Sequence, residues 1–331
     1  MLNNLVNVHD VSRLIRKAKK RQLSSVFSGL KSNRVERVQQ AWQHTQGPPL
    51  WTAIPDVGER QNLLISGDAN VDYYEYITHK YFSDRELLYA LSLGCGSGIR
   101  ELKWAELGKF KRIDAYDLSA SRIHHAVAQA REKGYDKIIH YCTADVYKVG
   151  MSDNFYDVVL AEDSLHHFSP LKEILLRIHR TLKPTGYFIV NEFVGPTRFH
   201  WTARQIEVVN GLLSILPFRY KTQWNSDSVR PNAFRPSRLS MILRDPSEAV
   251  ESSDILPLLN QIFEVVEIRE YGGSILSLLF SGIAHNFLSE DDEAQRFLHL
   301  CFEVEDLLLK SGDIQSDFAL VVCKKQANCD S

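Results

Sequence analysis

The chain reads as an α/β protein, an open and mostly parallel sheet with helices on both faces, and three observations carry that reading. Apolar runs of strand length alternate with segments of helical periodicity from Leu87 to Phe193. The first run ends in three alternate glycines, Gly94, Gly96 and Gly98, just ahead of a helix. Acidic residues then follow the next two strands, Asp117 after the second and Asp145 after the third.

From Asn3 to Gln43 the pattern is mostly helical, interrupted near Ser28 to Ser32 and stopped at Gly47-Pro48-Pro49. Residues 1–50 therefore form a helical appendage ahead of a main domain, 51–331. The basic run Arg13 to Arg21 reads as the solvated face of an ordinary helix, with an anionic membrane or RNA as the alternative contact. Trp51 to Asp68 is mixed and turn-rich. Asp72 caps a helix over Tyr73 to Tyr81, whose tyrosines Tyr73, Tyr74 and Tyr76 either cover the core or close over a ligand. Leu91 and Leu93, with Leu87 and Leu88 before them, make a buried strand, and the helix after the glycines starts at Ile99 and stops near Gly108.

A second strand, Arg112 to Tyr116, leads to Asp117, and Ser119 caps a helix that runs to Gly134. Strand three is Lys137 to Cys142, and strand four Tyr156 to Ala161. Ser169 then caps a helix with Pro170 at its first position and Leu171, Ile174, Leu175 and Ile178 as its buried stripe. A fifth strand spans Tyr187 to Phe193. Beyond Gly195-Pro196 the rhythm changes: about 197–259 hold two or three helices and a basic loop, Val229 to Arg244. Phe263 to Glu270 is strand-like, 272–311 is largely helical, and Phe318 to Lys324 is a last strand. The apolar part of 272–311 reads as a helix packed on an enlarged core, with a lid or an oligomer surface as the alternative.

Composition excludes more than it identifies. A chain of 331 residues with 44% hydrophobic and 24% charged residues has the make-up of a soluble globular protein, and a net charge of -2 offers nucleic acid no general attraction. Five cysteines with no CxxC pair point to a reduced, cytoplasmic protein without a disulfide framework. No uncharged run approaches the roughly 20 residues that span a bilayer.

A strand, a glycine turn, a helix and an acid ending the next strand suit two cofactor classes. Dinucleotide enzymes use GxGxxG, but Ile99 stands where the third glycine would be, and the spacing here is GxGxG. An oxidoreductase is thereby disfavoured. The runs SLGCGSG, DAYDLS, TADVY, FYDVVLAEDSLHHF and LKPTGYFIV resemble, in order and spacing, the motifs of class I S-adenosylmethionine-dependent methyltransferases, over roughly Tyr89 to Val194. The resemblance implies a Rossmann-like seven-stranded sheet with an antiparallel last strand. It also implies that Gly94, Cys95, Gly96 and Gly98 take the methionine part of S-adenosylmethionine, and Asp117 with Leu118 the ribose. Asp145 and Val146 would take the adenine, Ala161 and Glu162 would pass the sulfonium, and Tyr73 and Tyr76 would close over the cofactor.

The expected function is methyl transfer to a small-molecule acceptor, at oxygen or nitrogen sooner than carbon; the alternative is a cofactor-binding sensor or scaffold that transfers nothing. A base for such a reaction belongs at the ends of strands four and five, where Asp163, His166, His167 and Glu192 fall. Arg198, His200 and Arg238 are candidates for clamping an anionic acceptor, or else pair with nearby acids. No metal site is expected, because the two histidines are adjacent and not four apart on a helix face. A homo-oligomer is left open.

Overall fold

A computed structural model describes residues 47–235, 247–289 and 291–326. Residues 1–46, with the basic run Arg13 to Arg21, and the loop residues Arg238 and Arg244 lie outside the described residues.

The strands are β1 (Leu88–Leu93), β2 (Phe110–Asp117), β3 (Ile139–Thr143), β4 (Tyr156–Glu162), β5 (Leu182–Phe193), β6 (Phe263–Gly272) and β7 (Phe318–Lys325). They form one seven-stranded sheet in the order β3-β2-β1-β4-β5-β7-β6, with β7 antiparallel to both its neighbours. This is the mostly parallel architecture that the alternating pattern predicts. Successive residues of a strand enter opposite cores: Val158 and Leu160 join one apolar cluster, Val159 and Ala161 the other, and β7 divides in the same way at Leu320 and Val321. Burial on both faces is why these strands read as unbroken apolar runs.

The helices are α1 (Pro55–Ser66), α2 (Tyr73–Tyr81), α3 (Ile99–Glu106), α4 (Ala120–Glu132), α5 (Leu171–Thr181), α6 (Ala203–Ile215), α7 (Ile255–Ile262), α8 (Leu276–Phe280) and α9 (Asp292–Lys310). Asp72 and Ser119 cap α2 and α4 as expected, accepting from Glu75 N at 3.0 Å and Arg122 N at 3.5 Å. No helix among the described residues is long and apolar enough to cross a membrane.

Two elements differ from expectation. The segment expected to be turn-rich contains α1, with Pro55 in its first turn and Gly67 in the left-handed region at its end (φ 89°). The same residues that signal turns here bound a helix, and only Val57, Arg60 and Ile65 are buried along it, too sparse a stripe to read. Ser169 does not cap α5. That place is taken from 80 residues away by Glu251, whose carboxylate accepts Leu171 N at 2.9 Å and the Ser169 hydroxyl at 2.6 Å.

Of the two readings of 272–311, the buried one holds. Ile275, Leu276, Leu279 and Phe280 are fully buried, and α8 begins on the Glu305 carboxylate of α9, which accepts Ile275 N at 2.8 Å and Leu276 N at 3.2 Å. Glu305 also pairs with Arg60 at 3.2 Å, so α1, α8 and α9 are joined through one buried acid.

Candidate active site

The sheet sets the site's geography. Phe193 at the end of β5 pairs with Phe318 at the start of β7, and Phe318 pairs with Gly272 at the end of β6. The ends of β1 to β6 and the start of β7 therefore share one edge, the edge at which open α/β sheets bind ligands. A cavity of about 1010 Å³ opens there. That is at the upper end of the roughly 300–1,000 Å³ usual for one small ligand.

On the β1–β3 side the walls are Gly94, Cys95, Gly96, Asp117, Leu118, Asp145 and Val146. Asp117 accepts Gly96 N at 3.0 Å on one oxygen and Ser119 N at 2.7 Å on the other, which leaves each oxygen a second lone pair. Asp145 accepts Tyr147 N at 3.0 Å and pairs with Lys148 at 3.2 Å. Burial pushes the Cys95 thiol well above its usual range, so it is a small neutral filler and no nucleophile.

Gly94 and Gly98 have different reasons to be glycine. At Gly94 (φ 74°) a Cβ would come 2.7 Å from the Ser164 Cβ at the cavity wall. At Gly98 (φ 82°) it would strike the Tyr141 hydroxyl at 2.5 Å and the Ala126 Cβ at 2.7 Å, so this glycine, absent from the cavity lining, serves helix packing.

The β4–β5 end brings three of the four base candidates to the cavity: Asp163, His166 and His167. Asp163 is ion-paired with Arg100. His166 and His167 lie on a short turn, Leu165–His167, with ring centroids 4.0 Å apart. Burial pulls the His166 imidazole down, but the Glu192 carboxylate on its Nδ1, with Glu248 near Nε2, more than offsets this and holds it up at about 9. His167 is held well below the usual histidine range by burial and by the positive neighbours His166 and Arg122. Glu192 is fully buried and does not line the cavity. Its oxygens accept Ser164 N and Leu165 N, both at 2.7 Å, and Phe193 N at 2.6 Å, besides His166. It positions the histidine and is placed too deep to take a proton from an acceptor.

Several other candidates face elsewhere. Ala161 is buried in the core, and Glu162 accepts the Tyr73 hydroxyl at 2.5 Å and Trp104 Nε1 at 3.0 Å behind the wall, fixing Tyr73 at the cavity's rim. Tyr76 lies outside the cavity and donates to Glu267 at 2.7 Å in a cluster with Lys80 and Arg269. Arg198 donates to the Glu248 carbonyl at 3.1 Å, and neither it nor His200 lines the cavity. Arg238 is outside the described residues.

Sequence reasoning missed the opposite wall. Trp51, Phe193, Phe199, Tyr271 and Phe318 form a continuous aromatic surface, with Phe318 5.2 Å from Trp51, 5.4 Å from Phe193 and 5.9 Å from Tyr271 between ring centroids. Phe193 also meets the His166 ring edge-on at 6.3 Å. Position at strand termini was the available signal, for Phe193, Tyr271 and Phe318 all stand there.

Residues 91–190 match the family described as methyltransferase domain. The chain is 30% identical over 112 residues to a ubiquinone biosynthesis O-methyltransferase of Rickettsia conorii, covering 34% of this chain and 37% of that protein. It is 28% identical over 107 residues to a ubiquinone/menaquinone biosynthesis C-methyltransferase of Blochmanniella pennsylvanica, 32% of this chain and 42% of that one. The matches thus span about two fifths of these curated relatives. Among solved structures, geranyl diphosphate C-methyltransferase of Streptomyces coelicolor, in complex with Mg2+, geranyl diphosphate and S-adenosyl-L-homocysteine, aligns with 89% of this chain and 99% of that chain. The TM-score is 0.50 and the identity 11%, a likeness of fold alone.

Proposed function

We propose that this chain, whose residues 91–190 belong to the class I methyltransferase domain family, moves a methyl group from S-adenosylmethionine to an oxygen or nitrogen of a small, largely apolar acceptor. The observation that carries this is the Asp117 carboxylate, oriented by Gly96 N and Ser119 N at the rim of a cavity that also contains Asp145 and the glycine turn. The residues fit the cofactor: Asp117 keeps lone pairs for two vicinal hydroxyls, Asp145 on the same cavity wall would accept from an exocyclic amine, and the buried Ser164 hydroxyl has no protein partner beside Gly94. When bound, the cofactor supplies a methyl carbon on a sulfonium that is already a good leaving group.

What the chain has to do is align an acceptor and dispose of its proton. The aromatic wall of Trp51, Phe193, Phe199, Tyr271 and Phe318 buries a flat, apolar body. Tyr271 stays a phenol, raised by burial and donating to Asn191 at 2.6 Å, and presents no charge to that body. The histidine pair borders this wall, and burial with the positive neighbours His166 and Arg122 keeps His167 neutral at pH 7, the form a base requires.

Calorimetric titration with S-adenosylmethionine and with NAD tests the first half: binding of the former alone is expected, and binding of NAD alone overturns it. Incubation with methyl-labelled cofactor and a cell extract tests the second, with label expected in an apolar small-molecule fraction. Label on protein or RNA would overturn the acceptor class, and tight binding without transfer would favour a sensor.

A further inference from the structure

The two adjacent histidines acquire a third companion that their spacing conceals. Glu248 comes from a segment 81 residues beyond His167, and one donor atom from each of His166, His167 and Glu248 lies within 4.8 Å of the others. We infer that His166, His167 and Glu248 form a binding site for one first-row divalent transition ion, with zinc the ion its donors suit best.

Four features support the site. The separation between His166 Nε2 and Glu248 Oε1 is 3.5 Å. A charged N–H···O bond runs at about 2.7–2.9 Å, whereas two donors on one tetrahedral ion, with bonds of about 2.0–2.2 Å, stand roughly 3.3–3.5 Å apart. The pair is spaced as ligands that share an ion. Behind His166, Glu192 takes the Nδ1 proton and is itself fixed by Ser164 N and Leu165 N at 2.7 Å. A carboxylate behind an imidazole is how ligating histidines are oriented, with the opposite nitrogen presented to the metal.

The third ligand is delivered as firmly as the first two. Val250 N donates to the His166 carbonyl at 3.3 Å, and Arg198 N donates to the Ala249 carbonyl at 2.6 Å, so backbone bonds hold Glu248's segment against the turn. Two neutral imidazoles with the Glu192 and Glu248 carboxylates balance a divalent charge, and imidazole nitrogen favours zinc, iron, cobalt or nickel over magnesium or calcium. His166 and His167 line the cavity together with Ser247, so an ion held there would be reached from it. The methyl-transfer reading matters only for what a bound ion would do there, namely hold an acceptor oxygen beside the aromatic wall. Binding itself needs neither cofactor nor acceptor.

The test is metal titration of the full chain after chelator treatment and dialysis, with Zn2+ in competition with a chromophoric chelator and Co2+ followed by its visible absorption. One equivalent per chain is expected, with the bands of low-coordinate cobalt. Glu248→Gln and His167→Gln should each weaken binding about a hundredfold with the thermal melt preserved, and Glu192→Gln about 10–100-fold. Cys142→Ser, an exposed thiol away from the site, should leave binding unchanged. A folded protein that takes up neither ion overturns the inference and assigns the place between His166 and Glu248 to a proton alone. Undiminished binding in both Glu248→Gln and His167→Gln would also overturn it, by placing the ion elsewhere. Because no turnover is read, either failure leaves the methyl-transfer reading standing.

Discussion

Asp117 holds Gly96: the carboxylate at the end of β2 accepts the glycine's backbone N–H at 3.0 Å, 21 residues back along the chain. The acid and the glycine turn are thus one unit, in which the residue expected to bind ribose also fixes the loop expected to bind methionine.

Asp117→Ala should therefore weaken S-adenosylmethionine binding by about 1–3 kcal/mol, the usual cost of leaving hydroxyls without an acceptor, and should lower the melting temperature because Gly96 N and Ser119 N lose theirs too. Calorimetry and a thermal melt read the two effects separately. An unchanged affinity would mean that the ribose is held elsewhere.

Gly98→Ala is expected to act on stability. Its Cβ would meet Tyr141 and Ala126 inside 3 Å at a φ of 82°, and overpacking with backbone strain costs roughly 1–3 kcal/mol. Urea denaturation checks this; a variant as stable as the wild type would show that α3 and α4 can part without cost.

Stability should fall as the pH rises from about 4.5 to 7. Burial raises Glu101 from 4.5 to about 7, opposed in part by Ser92, and likewise raises Asp317 to about 7. A raised folded-state value means that the contribution is complete below the unfolded value and is lost as the pH climbs through the folded one. Glu101→Gln should flatten this slope and stabilise the protein at pH 8 by up to about 3 kcal/mol. Denaturant midpoints measured across that range decide it, and parallel curves for the two proteins would refute the assignment.

Glu251→Ala removes the distant cap of α5, leaving Leu171 N and the Ser169 hydroxyl without their acceptor. A loss of about 1 kcal/mol is expected, typical of a lost N-cap. Ser169→Ala, by contrast, should cost less, because Ser169 is a donor to the cap and not the cap itself. Equal losses would return the capping role to Ser169.

The strands, α2 to α5, the glycine turn and both strand-terminal acids were legible because each depends on neighbours within a few residues. Apolar runs buried on both faces and caps such as Asp72 leave local marks. Helix α1 was not legible, since its apolar stripe is thin and its stability comes through Arg60, which reaches Glu305 on α9. Nor was the depth of Glu192 or the outward turn of Tyr76, because strand and helix periodicity tell which face a residue occupies but not how far the cavity extends along it.

By itself, then, the sequence determined the order of strands and helices along the chain and the edge of glycines and acids from Gly94 to Asp145, which consecutive βα units supply. The tertiary structure alone decided the aromatic wall and the surroundings of the histidine turn. Trp51, Phe193, Tyr271 and Phe318 meet only because β7 inserts antiparallel between β5 and β6, and Glu248 reaches the histidine turn only through backbone bonds to His166 and Arg198. Contacts between residues dozens of positions apart follow from how the chain returns to the sheet, and no local pattern records that return.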